Sequence, residues 1–440
     1  MGQRASTAFQ PLKLVALAAA GVVMSFLPAS AADFGGACCA DIEERIAELE
    51  ATTARKGNPK VSLTISGYIV QEITAWDDGA ESNAYIHGLG PTQASHFKFN
   101  GKAAIAPGWS AGYMLRIQDL TGNAFAGGAN AINQLNGTKN DAPNAQMAFW
   151  YLQSDSLGKF SVGKLANAAK SAAMFTDLSG TQILDNYTML AGFPQFTIRS
   201  GGDLNPAGLT WGQLAYCYSQ SLPLGGDCNG LVMNGVRYDS PTIGGFTVSA
   251  SWGADDFWEV AGRYAGEISG FKISLGVGYS DMHDETVTGA AVSARKDSQF
   301  FQVGGYAQHI ATGLFVHAAY GHEDNNDTLL LNGTHAKDGE HWYVKAGLRR
   351  AWNPLGATIV YGDYARYNDQ LGPAVLALGA TSSTFDRFGG GIAQEIDAAS
   401  TTIYLKYQRY EANISGPSLS PAAKDLDDAT FVSFGALVSF

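Results

Sequence analysis

The sequence predicts an all-β protein, a closed antiparallel transmembrane β-barrel of about sixteen strands. Three observations lead there. The segment 428–440 places Val432, Phe434, Ala436, Val438 and Phe440 on one face of a strand, and an unbroken apolar face ending on an aromatic suits a strand with one side in lipid and its end at the interface. The same period of two recurs along the chain from Val61 onward. Finally, the connections between these segments alternate between short turns and long polar loops, as in outer-membrane barrels.

Taken in order, Arg4 and Lys13 flank the start of an apolar run at 14–27, which leads into Pro28-Ala29-Ser30-Ala31-Ala32. These are the three parts of an export signal, so residues 1–31 are expected to be removed. Small residues at Ala29 and Ala31 favour cleavage after Ala31, with cleavage after Ala32 as the alternative. No other segment has the ~18 consecutive apolar residues of a spanning helix, which excludes a helical inner-membrane protein. Residues 32–60 are expected to be a periplasmic segment. In it Ile42, Ile46, Leu49 and Thr53 follow four-three-four spacing among Glu43, Glu44, Arg45, Glu48 and Glu50, the pattern of a short amphipathic helix. A helix of two heptads is marginal alone. It packs on the periplasmic side of the barrel, on copies of itself, or stands as a solvated cap. Lys56-Gly57-Asn58-Pro59 stops it and opens a linker to the barrel, 61–440.

From Val61 the apolar residues Val61, Leu63, Ile65 and Ile69 alternate with Ser62, Thr64, Ser66 and Tyr68. The first strand is thus 61–76. The pattern returns at 96–105, 110–120, 144–153 and 158–165, then at 231–239, 245–252, 256–267 and 270–280. It continues at 298–310, 314–323, 340–352 and 356–367, and ends with 385–396, 398–410 and 428–440. An even count suits a single-chain barrel. Short turns fall at 106–108, 156–158, 241–244, 268–269, 311–313, 353–355 and near Asp397; long polar connections occupy 77–95, 121–143, 281–297, 324–339, 368–384 and 411–427. A soluble sandwich has no reason to keep that alternation. The last strand should pair with the first, so that Phe440 closes the ring and no edge stays open. One connection, 166–216, lacks period-two order; such long segments are usually functional, and this one is large enough to fold into a lumen.

Composition agrees. Charged residues are 15% of the chain, with 53 Gly, 19 Tyr and 22 Phe, a mixture suited to strands half lipid-facing and half wet. The net charge of −12 argues against a nucleic-acid partner. In an exported chain Cys217 and Cys228, flanking a polar Gly-Gly stretch, are expected to form a disulfide, while Cys38 and Cys39 pair locally or between subunits. Zinc is the weaker reading of these thiols, because no nearby Cys or His completes a set of four. No enzyme activity, metal or cofactor is expected. Gly108-Trp109-Ser110-Ala111-Gly112 has the spacing of a hydrolase nucleophile, but it follows Pro107 in a turn between two strands, and the chemistry needs a strand-to-helix elbow.

The stretch from Cys38 through Asp41-Ile42-Glu43-Glu44-Arg45 to Lys56-Gly57-Asn58, leading into Val61-Ser62-Leu63-Thr64-Ile65-Ser66-Gly67, resembles the mature start of the alpha-proteobacterial general porins. So do Val236-Arg237-Tyr238-Asp239-Ser240-Pro241, the run Ser249-Ala250-Ser251-Trp252-Gly253, and Arg263-Tyr264-Ala265-Gly266. The resemblance extends to the order and spacing of the strands. It implies a sixteen-stranded homotrimeric outer-membrane barrel whose third external loop, here 166–216, folds inward to narrow a water-filled channel. It further implies that Phe440 is read by the outer-membrane assembly machinery, and that a mature Ala32-Asp33 terminus is a point of attachment to peptidoglycan.

Alternation assigns the wet side chains. Phe97, Phe99, Ala103 and Ile105 share one face, so Lys98, Asn100 and Lys102 point into the lumen; Tyr113, Leu115 and Ile117 face lipid, which turns Arg116 and Gln118 inward. Arg237, Lys345 and Arg349 are inward by the same rule. A charge on the lipid face would cost ~2–4 kcal/mol at mid-depth. The central acids of the inward loop, Asp177 and Asp185, are expected to oppose Lys98, Lys102, Arg116 and Arg237 at a constriction, where opposite charges set ion preference. The alternative is that these Lys and Arg hold the loop by salt bridges or sit in wide vestibules. The expected function is passive diffusion of ions and small hydrophilic solutes. A substrate-specific channel and an envelope-tethering protein acting through 32–60 are the alternatives.

Overall fold

The computed structural model describes residues 61–89, 93–118, 143–188, 193–205, 208–230, 232–253, 257–284, 293–325, 327–330 and 333–440. The expected export signal, the helix with its Ile42 and Leu49, and Cys38 and Cys39 lie outside the described residues.

Among the described residues sixteen long strands form one antiparallel sheet: β1 Ser62–Asp77, β2 His96–Ala106, β3 Trp109–Gln118, β4 Asn144–Ser154, β5 Gly158–Ala166, β6 Val232–Asp239, β7 Phe246–Gly253 and β8 Trp258–Ile268, followed by β9 Phe271–Asp284, β10 Ser293–His309, β11 Leu314–Asp324, β12 Gly339–Asn353, β13 Gly356–Asn368, β14 Ser382–Ile396, β15 Thr401–Ser415 and β16 Ala429–Ser439. Each pairs with its sequence neighbour. β16 returns to β1, in register from Tyr68↔Ser439 to Asp77↔Thr430. The ring is closed, which leaves no edge to aggregate. Phe440 finishes the seam: its N–H donates to Gly67 O at 3.1 Å, its carbonyl accepts from Gly67 N at 3.0 Å, and its ring lies 5.4 Å from that of Phe97.

The outer surface follows the sequence pattern. On β7, Phe246, Val248 and Trp252 are exposed while Ser249 and Ser251 are buried inside. Aromatic contacts gather near the ends of the strands, Trp258 with Tyr279 and Trp342 with Tyr364 towards the long loops, Phe246 with Tyr264 towards the short turns. Between them lie Val260, Val277, Val303, Val316, Val344 and Val360. An apolar band with aromatic rims is what a bilayer selects.

Two features depart from the pattern. β10 begins at Ser293 and β15 runs to Ser415, beyond the expected 298 and 410. In these extensions the outward face is polar, Glu411, Asn413 and Ser415 on β15, whose Ala412 and Ile414 turn inward to the buried core, so the lipid-facing apolar signal is absent. The connection expected as a plain loop at 77–95 contains a further strand, Ser82–His87, paired with the upper part of β1 from Glu72↔His87 to Asp77↔Ser82. β2 pairs only with the lower part, from Tyr68↔His96 to Ser62↔Lys102. At the gap the Ser95 hydroxyl replaces ladder bonds, accepting from Val70 N at 3.0 Å and donating to Val70 O at 3.2 Å.

Candidate channel constriction

The chain between β5 and β6 lies against inward-facing side chains of the barrel. Its first turn rests on glycine. A Cβ at Gly276 would sit 2.3 Å from Ala172 O, and one at Gly304 2.5 Å from Ala173 O, so these positions of β9 and β10 must lack a side chain for the run Ala168, Ala169, Ala172, Ala173 to seat. The backbone of that run is bonded throughout. Arg237 Nη1 donates to Ala166 O at 2.7 Å and Asn167 O at 3.0 Å, and Arg263 Nη2 to Ala168 O at 2.7 Å. The N–H groups of Ala168, Ala169 and Ala173 donate to Ser251 Oγ, Glu259 Oε2 and Gln302 Oε1.

The segment then crosses the inner faces of β12 to β15 on buried ion pairs. Lys345 Nζ is 2.9 Å from Asp177 Oδ2 and also donates to Thr181 Oγ1 and Asp185 O. Burial acts to raise the Asp177 carboxyl, yet the Lys345 ammonium and hydrogen bonds from Lys345 and Ser179 outweigh it and hold the group below the ordinary carboxylate range. Asp185 accepts from Gln408 Nε2 at 2.9 Å and Tyr361 Oη at 3.0 Å, and lies 3.4 Å from Arg387. Arg387 bridges to Asp363 at 2.6 Å and also donates to Asn186 O; the side chains of Arg387, Asp185 and Asp363 are 0% exposed. Lys406 pairs with Glu72 at 3.0 Å and donates to Leu184 O at 3.2 Å. Where the segment passes the Arg349–Glu395 pair (2.5 Å) it uses Gly180, at φ 93° and 2.8 Å from Glu395 for any added Cβ.

Beyond this crossing the segment builds an aromatic core inside the barrel. Phe193 stacks on Phe431 at 4.1 Å, Trp211 lies against Phe385 and Tyr410, and Trp76 against Phe196. Cys217 and Cys228 form the expected disulfide, with Cα atoms 5.1 Å apart. The two sulfurs and Glu323 make up the single grouping of potential metal ligands among the described residues; both sulfurs are committed to the disulfide, and Glu323 accepts from Tyr218 N and Ser219 N. Asp227 closes the base of the segment by accepting from Ser171 Oγ at 2.6 Å and Gln302 Nε2 at 3.3 Å, and burial pushes its carboxyl up.

The residues singled out in the sequence therefore fall into two places. Asp177, Asp185 and Lys345 are buried in the crossing, with Arg349 at its margin. Lys98 and Lys102 lie on β2 and Arg116 on β3, where Lys98 and Arg116 are cross-strand partners and Arg116 Nη2 is 3.2 Å from His96 Nδ1. Arg237 pairs with Asp239 at 2.6 Å as well as holding the segment's start. Sequence reading missed Glu72, Asp363, Arg387 and Lys406. Parity alone turns all four inward, so the available signal was charge at alternating positions of β1 and β13 to β15 beside an inward segment. The alanine run and the glycines facing it were a second signal. Ser110 is on β3, and the residues after it continue as strand.

The barrel has solved counterparts. An anion-selective porin from Comamonas acidovorans superposes with a TM-score of 0.54 at 14% identity, covering 86% of this chain and 100% of that one. A loop-deletion form of OmpT from Vibrio cholerae gives 0.51 at 11% identity, covering 87% and 100%, and OmpF of Salmonella typhi in complex with daunomycin gives 0.50 at 13%, covering 87% and 98%. At such identities the likeness is one of fold. No curated protein matches the sequence. The family profile of Gram-negative porins matches residues 16–436. The chain belongs to that Gram-negative porin family, outer-membrane barrels through which small solutes diffuse passively.

Proposed function

We propose that the segment from Asn167 to Gly230 is the size filter of a general diffusion channel for ions and small hydrophilic solutes, and that its charged anchors fix the aperture. The observation that carries this reading is the two buried pairs Lys345–Asp177 and Arg387–Asp185, which hold the segment to the wall, with Asp363 fixing Arg387 from the neighbouring strand. Pairs desolvated on both sides persist only when both partners stay in place. The crossing is thus a fixed obstacle, and solutes pass beside it. Residues 1–31 act as an export signal. The assembled form is a homotrimer; OmpT of Vibrio cholerae is described in a trimer form. No catalytic role is assigned to Ser110.

Phe440 is the candidate assembly signal, and its exposed ring on the outer surface supports that role. Deleting Phe440 removes both backbone bonds to Gly67 and the ring beside Phe97. Outer-membrane levels should drop several-fold while inserted molecules keep normal conductance, a split read by membrane fractionation and bilayer recording. The channel reading itself is tested by single-channel recording of the purified protein. Open steps grouped in threes are expected, and an absence of conductance overturns it.

A further inference from the structure

Most carboxylates that meet the inward segment are buried, while Glu395, beside Arg349, is 20% exposed. The carboxylates of Asp177, Asp185, Asp363 and Glu72 have side-chain exposures of 0–1% and each faces a buried cation. Glu323 is equally enclosed, held by N–H groups of the inward segment, and Glu259 and Asp227 are buried with it. The cations follow no such rule. Lys98 and Arg116 are half-buried and Lys102 is exposed on the inner face of β2 and β3, and neither Lys98 nor Lys102 has an ion pair among the described residues. Lys159, Arg237 and Arg263 continue this wet basic face at the level of the short turns, with Asp239, placed between Arg237 and Lys159, and Glu267, opposite Lys272, as its neighbouring acids. At the crossing the partly exposed residues of the inward segment are uncharged, Phe175 being 49% exposed and Leu178, Gln182 and Ile183 partly so; its exposed acid, Asp203, lies farther on, in the hairpin Arg199–Leu204.

We propose that the water column of this channel is basic, and that Lys98, Lys102 and Arg116 form a lumenal subsite for small anions, inorganic or bearing a carboxylate or phosphate. The proposal rests on the channel reading above and deepens it. A formal charge of −12 on the chain does not oppose it, because an ion responds to charges within about a Debye length, ~10 Å at 0.1 M salt, in its own aqueous path. Carboxylates neutralised in buried pairs contribute little to that field. The wall lysines, a few ångströms from a passing ion, act on it fully.

The test is the zero-current potential of the purified full-length protein in a planar bilayer under a tenfold KCl gradient centred on 0.1 M. Chloride should permeate over potassium by at least about fivefold, the factor by which a unit charge at ~4 Å in water favours the anion alone. The ratio should fall towards one when the gradient is centred on 1 M, where screening shortens to ~3 Å. Lys98→Gln with Lys102→Gln should lower it, and Lys98→Glu with Lys102→Glu should invert it. Potassium preference in the unaltered channel overturns the proposal, as does a ratio indifferent to both double variants. Those results leave the diffusion channel standing, whereas a protein that conducts nothing removes both readings.

Discussion

The two halves of the inner wall are built from the same alternating strands and end in opposite states. From β8 round to β16 and on to β1, inward polar side chains meet the folded segment and disappear from water: Glu259, Gln302, His317, Lys345, Asp363, Arg387, Lys406 and Glu72 are all buried. On β2 and β3, Lys98, Lys102 and Arg116 keep contact with solvent. Strand parity decides only that a residue points inward. Whether it then serves as an anchor or as part of the channel surface depends on which neighbour the chain returns to it. The comparison suggests a rule for this barrel: inward charges with a buried counter-charge set geometry, and the wet lysines of β2 set selectivity.

The most severe way to break the contrast is to make the anchored half resemble the bare one. Arg387→Leu leaves Asp185 and Asp363 buried without their cation, and removal of one partner from a buried pair costs about 3–5 kcal/mol. The expected result is a lower unfolding midpoint together with larger, noisier open steps as the segment leaves the wall. A stable variant with unaltered steps would falsify the anchoring role. Replacing Cys217 and Cys228 together by Ser should cost about 3 kcal/mol by releasing the closed loop. Because the cysteines lie beyond the crossing, the same measurements should show reduced stability with a smaller change in step size than for Arg387→Leu.

Next in size is an effect of pH. The Asp177 carboxyl lies below its ordinary value in the folded chain, so its contribution is fully present above the unfolded value near 4 and is lost as pH falls through the depressed one. The contribution of Asp177 to step size should stay constant from pH 7 to about pH 4 and be lost only in stronger acid. Lys345→Met reverses the sense of the dependence. Without its cation Asp177 is a buried carboxylate whose burial favours the neutral form, so the variant should be impaired at pH 7 and recover towards the original step size as pH is lowered. Conductance titrations of both proteins check the pair of signs.

How much of this was legible in the sequence follows from the range of the interactions. Lipid contact imposes its period locally, and a positive-φ glycine or a proline marks a turn within a few residues; the strand order, the closing β16–β1 seam and the inward orientation of Lys98, Arg116, Lys345 and Arg349 could therefore be read directly. The partners of those charges could not. Asp177 meets Lys345 across a separation of 168 residues and Asp185 meets Gln408 across 223, and no local pattern states which acid a returning segment will present to which strand. The arm Ser82–His87 escaped for a related reason: its sequence Ser-Asn-Ala-Tyr-Ile-His lies above the lipid and carries no apolar alternation. The disulfide, closing 11 residues, was local enough to anticipate.

The smallest expected structural effect sharpens the comparison most. Lys98 lies opposite Arg116 across the β2–β3 ladder, so a like-charge pair is held side by side. Lys98→Gln removes that repulsion and keeps a polar side chain in water. Stability should change by less than about 0.5 kcal/mol, as for other surface substitutions, and open-step size should hardly move, because among the described residues no contact of Lys98 holds the inward segment. Anion preference should decline nonetheless. Lys345→Met, by contrast, should change step size and stability while altering ion preference only as far as the aperture widens, since it leaves the cations of β2 and β3 in place. Recording both variants under the same KCl gradient separates the two classes of inward charge. Equal shifts in selectivity per unit of charge removed would mean that burial does not divide them, and that the anchored half of the wall also acts on the ion path.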